Sequence, residues 1–265
     1  MSANQAHDPA QSSALIKSAD DERLIDRFAA EAAGIPGVIA VTLGGSRAVG
    51  TDHRDSDFDF AIYHRRRLDP ADVRAVGWPG EVFAPGEWGG GVMNGGAFLE
   101  VEGRRVDLHY RDLDSVERCC AQAEAGHFNV ERLPFYLAGI PTYVVMAELA
   151  IARVLVGELP RPSYPPALRD AAPPFWRGAA QLSLAGARGY AEREQLPECV
   201  ASLTRALIEE AHARAAERAE WVLNEKRLID AAGLGAVRPA FELLSAAADR
   251  LAALCAEVER AIARR

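Results

Sequence analysis

No apolar run among the 265 residues reaches the length needed to cross a membrane. The N-terminal stretch MSANQAHDPAQSSALIKSADDER is polar and has no continuous apolar segment of the kind a secretion signal carries. No two cysteines are spaced C-x-x-C. The four are Cys119, Cys120, Cys199 and Cys255, and the first two are adjacent. That spacing suits neither a disulfide framework nor a zinc site, and it leads us to expect small apolar core residues in a reducing cytosol. A positive charge balance is also missing: 30 Lys and Arg stand against 38 Asp and Glu, for a formal charge of -8. An acidic chain lacks the global field that draws proteins to nucleic acid, so polymeric RNA or DNA is disfavoured, although a local basic cleft would suffice. There is no internal repeat. These absences together predict a cytoplasmic protein without membrane contact.

What is present is ordinary for a globular chain: 49% hydrophobic and 26% charged residues, enough for one large domain or two small ones. A helix is expected over about Asp20 to Ala33, where Leu24, Ile25 and Phe28 recur at helical spacing and Gly34 ends the run. Val38 to Leu43 is a β-branched-rich strand followed by the glycine turn GGSRAVGT and a short helix. A second strand runs over about Asp57 to His64. A short helix over Pro70 to Val76 is capped by Asp69. The stretch APGEWGGGVMNGG forms no regular element. Ala97 to Val101 and Arg104 to Tyr110 form a hairpin around Glu102-Gly103. Asp112 or Asp114 then caps a helix reaching about Ala125.

After Ile140-Pro141 the pattern turns helical. Thr142 to Val156 reads as a helix, the proline cluster Pro160 to Pro174 as a linker, and the remainder as alanine- and leucine-rich helices. Leu203, Leu207 and Ala211 form one apolar stripe. Leu244, Ala247, Leu251, Leu254, Val258 and Ile262 form another. The predicted organisation is a mobile tail over 1–18, an α/β domain over 19–140 with a small mixed sheet, and an all-α helical bundle over 141–265.

The chemistry concentrates in VTLGGSRAVGTDHRDSDFDFAIY, residues 41–63. A strand enters Gly44-Gly45-Ser46-Arg47 and then a helix start. Glycines let the backbone approach a ligand, and amides at a helix N-terminus favour phosphate. Ser46 adds a hydroxyl and Arg47 a fixed charge. Asp57 and Asp59 follow eleven and thirteen residues after Ser46. Residues two apart on a strand share a face, so both carboxylates point one way, while Phe58, Phe60 and Ile62 point into a core. Paired carboxylates repel unless a cation lies between them, and Mg²⁺ fits oxygen ligands. A third carboxylate, Asp107 in GRRVDLHYRD, shares a face with Arg105 and His109, opposite Val106, Leu108 and Tyr110. Three such carboxylates form a cage for two metals about 4 Å apart, the arrangement of in-line phosphoryl displacement. A lone GGS turn or a lone D-x-D is commonplace; the order strand, GGS, helix, D-x-D strand, V-D-L strand is specific.

That order resembles the DNA polymerase beta superfamily of nucleotidyltransferases. Within it, the similarity is to compact bacterial members with a trailing helical domain, such as the aminoglycoside and lincosamide nucleotidyltransferases, whose G-S-x-A-x-G form GGSRAVG is similar to. The motif spans Leu43 to Tyr110. The stretch from Pro85 to Arg118 resembles an uncharacterised bacterial branch, which supplies no substrate. The resemblance implies that Asp57, Asp59 and Asp107 bind metal, two Mg²⁺ ions being expected. Gly44, Gly45, Ser46 and Arg47 would hold the triphosphate of an NTP, with ATP expected.

The implied reaction is attack by an acceptor hydroxyl on the α-phosphate, with pyrophosphate leaving. Asp107, Glu87 and Glu100 are the alternatives for general base. His109 either touches substrate or packs behind the site. Trp78 and Trp88 either stack on a base or sugar or anchor the loop. Lys226, in Asn224-Glu225-Lys226 on a late helix, either reaches phosphate or is solvated. The expected acceptor is a hydroxyl-bearing small molecule, an antibiotic-like compound among the candidates. A protein or tRNA acceptor is the second reading and a silent nucleotide-binding module the third. A homodimer is left open.

Overall fold

The structure, a computed structural model, describes residues 9–50, 53, 56–65 and 68–242. Helix α1 runs Pro9–Ala33. It is helical from Pro9, well ahead of the expected start near Asp20, so the tail predicted over 1–18 is in helix from Pro9 on; residues 1–8 lie outside the described residues. Leu24, Ile25, Phe28 and Ala32 form its buried stripe. Gly34 closes the helix by donating its N–H to the Glu31 carbonyl at 3.0 Å.

Then follow β1 (Val38–Leu43), α2 (Gly45–Ala48), β2 (Phe58–His64), α3 (Pro70–Ala75), β3 (Gly80–Val82), β4 (Gly96–Val101) and β5 (Arg104–Asp112). The Asp69 carboxylate accepts the Ala71 N–H at 2.9 Å and so caps α3. Glu102 and Gly103 take φ of 52° and 72°, the left-handed pair of a two-residue hairpin turn, which fixes the β4–β5 register. The N-cap of α4 (Leu113–Glu124) is Asp112, which accepts the Asp114 N–H at 3.0 Å. A small ladder of β6 (Val130–Glu131) and β7 (Ile140–Pro141) leads to α5 (Val144–Ile151) and β8 (Arg153–Val156).

Six strands form one sheet in the order β3-β4-β5-β2-β1-β8. β2 and β5 are parallel and every other pair is antiparallel, so the sheet is mixed as expected. The single helix expected over Thr142 to Val156 is corrected: it stops at Ala152, whose ψ of 150° is extended, and the chain becomes a strand. Arg153, Val154 and Val156 pair with the open edge of β1. Edge pairing satisfies a row of backbone groups and outweighs the local helical preference.

The sheet alternates cleanly. On one face Val41, Leu43, Phe58, Phe60, Ile62, Val106 and Leu108 pack under α1 in the main core. Each such side chain contributes about 1.5–3 kcal/mol by leaving water. On the other face Ala40 and Tyr63 pack against Leu113 and Val116 of α4 and Val144, Val145 and Leu149 of α5. That second core covers the end of the sheet where β2 finishes. The end where β2 begins carries Asp59 and, on its neighbours, Asp107 and Phe98.

Two compact units are present. One comprises the chain through Ala172 together with Ala219–Leu223; the other comprises Pro173–Arg218 and the chain from Asn224 onward. The division lies beyond the Ile140-Pro141 boundary expected from composition: β8 pairs with β1 in the sheet, and α5 packs against the sheet's second core. Helix α6 (Pro166–Glu192) starts inside the predicted proline linker and contains Pro173 and Pro174. It persists there although each proline removes a backbone donor.

The regular elements among the second unit's described residues are all helices: the part of α6 from Pro173 on, α7 (Leu196–Glu217), α8 (Leu228–Ala231) and α9 (Arg238–Glu242), with a 3₁₀ turn before α9. Of the predicted stripe on α7, Ala211 is buried while Leu203 and Leu207 are half-buried. The stripe from Leu244 to Ile262 lies outside the described residues. No described helix is long and apolar enough to cross a membrane. Cys119, Cys120 and Cys199 are free and half-buried, less enclosed than predicted; Cys255 lies outside the described residues.

Candidate active site

β1 ends at Leu43 and the chain turns back at Gly44, whose N–H donates to the Asp59 carbonyl at 2.7 Å. The glycine turn is therefore stitched to the start of β2. Gly45 takes φ of 61° with its Cα against the Asp59 side chain, where a Cβ would overlap Oδ2. Glycine is required here twice over, by the left-handed backbone and by the close approach. Ser46 follows in α2. This helix has only four residues, so its dipole is small, and any grip on phosphate rests on the exposed amides and the hydroxyl.

Asp59 and Asp107 are direct register partners on the parallel strands β2 and β5. Neighbouring strands lie about 4.8 Å apart, and partners in register point their side chains to one face, so the two carboxylates stand side by side. Asp57 lies one residue before β2. Its carboxylate is held by Arg105, whose Nε lies 2.8 Å from Oδ1. The approach is off the hydrogen-bond direction, and that buried oxygen makes no hydrogen bond. Among the described residues no three of His, Cys, Asp and Glu stand close enough together to hold a metal ion.

Of the three carboxylates expected to form a cage, Asp59 and Asp107 are brought side by side, and Asp57 is engaged by an arginine on the next strand. The donor set, carboxylate oxygens with one unsatisfied, still fits a hard divalent cation in kind. Arg105 is a residue that sequence reasoning placed on the Asp107 face without a role; the strand alternation was the available signal.

Arg47 is also corrected. Its side chain is only 6% exposed. It donates to Asp21 Oδ2 at 2.9 Å, to the Ser56 carbonyl at 2.8 Å and to the Asp57 carbonyl at 3.3 Å. The guanidinium also lies over the Phe58 ring, 3.7 Å from its centroid. A guanidinium so engaged fixes the approach to β2 and ties it to α1, and it is spent on that task rather than on a triphosphate. Asp21 is shared with Arg104 at 3.1 Å.

Further along β5, Arg111 is buried and makes two hydrogen bonds of 2.6 Å to Glu148 on α5. His109 lies between this pair and Asp107. Burial, assisted by the Arg111 charge, pushes its imidazole down to about 4, so it is neutral near pH 7 and supplies no cation to a phosphate. Its ring meets Trp88 edge-on at 5.6 Å. Trp88 stacks on Phe98 at 5.2 Å. Trp78 anchors the structure: its Nε1 donates to Glu31 at 2.8 Å and its ring stacks on Phe28 at 4.4 Å. Glu87 accepts the N–H of Ala84 and so closes its own loop. Glu100 is exposed on the Asp107 face of β4.

Lys226 lies in the second unit, exposed on a turn before α8 rather than on a helix. Its backbone N–H donates to the Asn224 side chain at 2.9 Å.

Residues 23–83 match the family profile of the nucleotidyltransferase domain. No curated protein matches the sequence. Among solved structures, a nucleotidyltransferase-like protein from Exiguobacterium sibiricum 255-15 is similar over 74% of this chain at 13% identity and a TM-score of 0.36. This chain spans 57% of that protein's length. The matched segment carries the strand, the GGS turn, Asp57 and Asp59, so the similarity to the nucleotidyltransferase domain falls on the glycine turn and the first two carboxylates of the site.

Proposed function

We propose that this protein transfers a nucleoside monophosphate from an NTP, ATP in the first instance, to the hydroxyl of a small molecule and releases pyrophosphate. The observation that carries the proposal is the pairing of Asp59 with Asp107, in register on adjacent strands, beside a glycine turn closed onto Asp59. Asp57, Asp59 and Asp107 are the residues that would hold Mg²⁺, which when bound neutralises the phosphates and lowers the barrier to displacement at phosphorus.

The chain's own residues do the rest. The amides of Gly45 and Ser46, with the Ser46 hydroxyl, hold the β- and γ-phosphates. The acceptor oxygen attacks the α-phosphorus, a new P–O bond forms, and the bond from the α-phosphorus to the bridging oxygen breaks, so that pyrophosphate leaves with that electron pair. The hydroxyl proton passes to Asp107, which stands on the side away from the glycine turn. Glu87 is committed to its loop, and Glu100 lies a strand further off. The net charge of -8 favours a cationic acceptor, for which a hydroxylated amine such as an aminoglycoside is the first choice.

The test is incubation with each labelled NTP, Mg²⁺ and a panel of hydroxylated compounds, following pyrophosphate release and the mass of the acceptor. The proposal requires an acceptor heavier by one nucleoside monophosphate and no product from the Asp59→Asn protein. Equal turnover by wild type and Asp59→Asn would overturn it.

A further inference from the structure

We infer that Phe98 is the platform on which the acceptor lies, and that the acceptor presents a flat or apolar ring face to it. This inference rests on the transferase reading above. It begins with the order of groups across the sheet. The glycine turn follows β1, Asp59 is on β2, Asp107 on β5 and Phe98 on β4, and these strands are consecutive neighbours. Phe98 is the register partner of Asp107, so its side chain rises from the same face. In-line displacement places the entering and leaving oxygens on opposite sides of phosphorus. With pyrophosphate departing toward the glycine turn, the acceptor enters from the β4 side, directly over Phe98.

The ring is unusual for its place. It is 44% exposed on a sheet whose opposite face is closed core. It is also held rigid: Trp88 stacks on it at 5.2 Å and 21°, and Phe83 meets it edge-on at 5.5 Å. Trp88 in turn lies against Gly96, where a Cβ would strike its ring, so the loop is locked to the strand beneath. An aromatic surface that is open, fixed in advance and next to the reacting carboxylate gains contact area at little ordering cost when a ring settles on it. A sugar or aminocyclitol would offer its C–H face, and an aromatic alcohol its π-face.

The experiment uses the full chain saturated with Mg²⁺ and α,β-methylene ATP, which cannot be cleaved at the α–β bridge. Kanamycin, uridine, tyramine and the acyclic polyol sorbitol are titrated by calorimetry into wild type, Phe98→Ala and Phe98→Trp, all checked for unchanged melting. At least one ring compound should bind wild type and sorbitol should not. Phe98→Ala should weaken the ring compound about tenfold, the effect of one lost aromatic contact, and Phe98→Trp should restore it. Affinity for the nucleotide analogue should stay constant in all three. The inference falls if no ring compound binds, if Phe98→Ala binds it as tightly as wild type, or if Phe98→Ala weakens the analogue instead, which would give the ring to the nucleotide. Failure of wild type to bind the analogue would remove the transferase reading itself, and with it this inference.

Discussion

Gly45 and Asp59 are in direct contact: the left-handed backbone at Gly45, φ 61°, sets the glycine against the aspartate carboxylate, where a Cβ would overlap Oδ2. The turn that would hold phosphate and the carboxylate that would hold metal are thus one rigid unit. Gly45→Ala must move one or the other. A displacement of about 1 Å at a reacting centre costs about 100-fold in rate. We expect turnover to fall by at least that factor. Stability should drop by about 1–3 kcal/mol, the cost of the strained backbone, with the protein still folded. Steady-state kinetics beside a thermal melt distinguish a displaced site from an unfolded one.

Asp107→Asn keeps shape and volume while removing the charge beside Asp59. Transfer should fall by about 100- to 1,000-fold or more, with the folded state unharmed because the side chain is half-buried and faces the open site. Product formation at saturating NTP is the measurement, and a variant with more than a tenth of wild-type turnover would remove Asp107 from the mechanism.

Arg47 separates a latch from a phosphate ligand. As a latch it joins Asp21, Ser56 and Asp57, and its loss takes this donor from two carbonyls and leaves Asp21 with Arg104 alone. Arg47→Ala should destabilise the protein by about 2–4 kcal/mol, read in urea. A pure phosphate ligand would instead raise the KM for NTP and leave the urea midpoint where it was.

Glu148 and Arg111 form the charged pair behind the site. Burial alone would raise the Glu148 carboxyl, but the Arg111 charge and hydrogen bonds outweigh it and hold the group below its usual range. A depressed carboxyl contributes stability that is complete above its unfolded value and is lost as pH falls through the folded one. Glu148→Ala should cost about 3–5 kcal/mol near pH 7, since it strands a buried guanidinium. Replacing both partners by Leu and Met should cost less. Denaturation of the single and double variants decides between these outcomes.

In the second unit His212 is buried against Trp176, with ring centroids 4.4 Å apart and neither ring nitrogen hydrogen-bonded. Burial pushes it down from 6.5 to about 4. The unfolded chain binds the proton first, so stability is full above about pH 6.5 and is lost as pH falls from there toward 4. The loss is on the order of 3 kcal/mol over that window. His212→Phe should flatten this part of the stability profile, measured as urea midpoint against pH.

Much of this molecule is legible in local residue order. The six residues VIAVTL give β1 end to end, Asp69 and Asp112 cap the helices they precede, and Glu102-Gly103 forms the hairpin turn, because each depends on neighbours within a few positions. The D-x-D alternation likewise puts Phe58 and Phe60 in the core and the carboxylate of Asp59 on the opposite face. Residues 153–156 defeat the local reading because their partner is β1, more than a hundred residues earlier.

Sequence by itself determined the local arrangement: which acidic groups share a face, where a glycine turn opens the backbone to close approach, and which residues must be core. These follow from side-chain identity and from periods of two and 3.6. Tertiary structure alone decided the assignments between partners: that Asp59 stands opposite Asp107, that Arg47 is consumed by Asp21 and two carbonyls, that Arg105 holds Asp57, and that Phe98 is left open next to Asp107. Strand order and register set those distances, and they are fixed by contacts between segments far apart in the chain, where core packing outweighs both the entropy of closing the loop and any local preference.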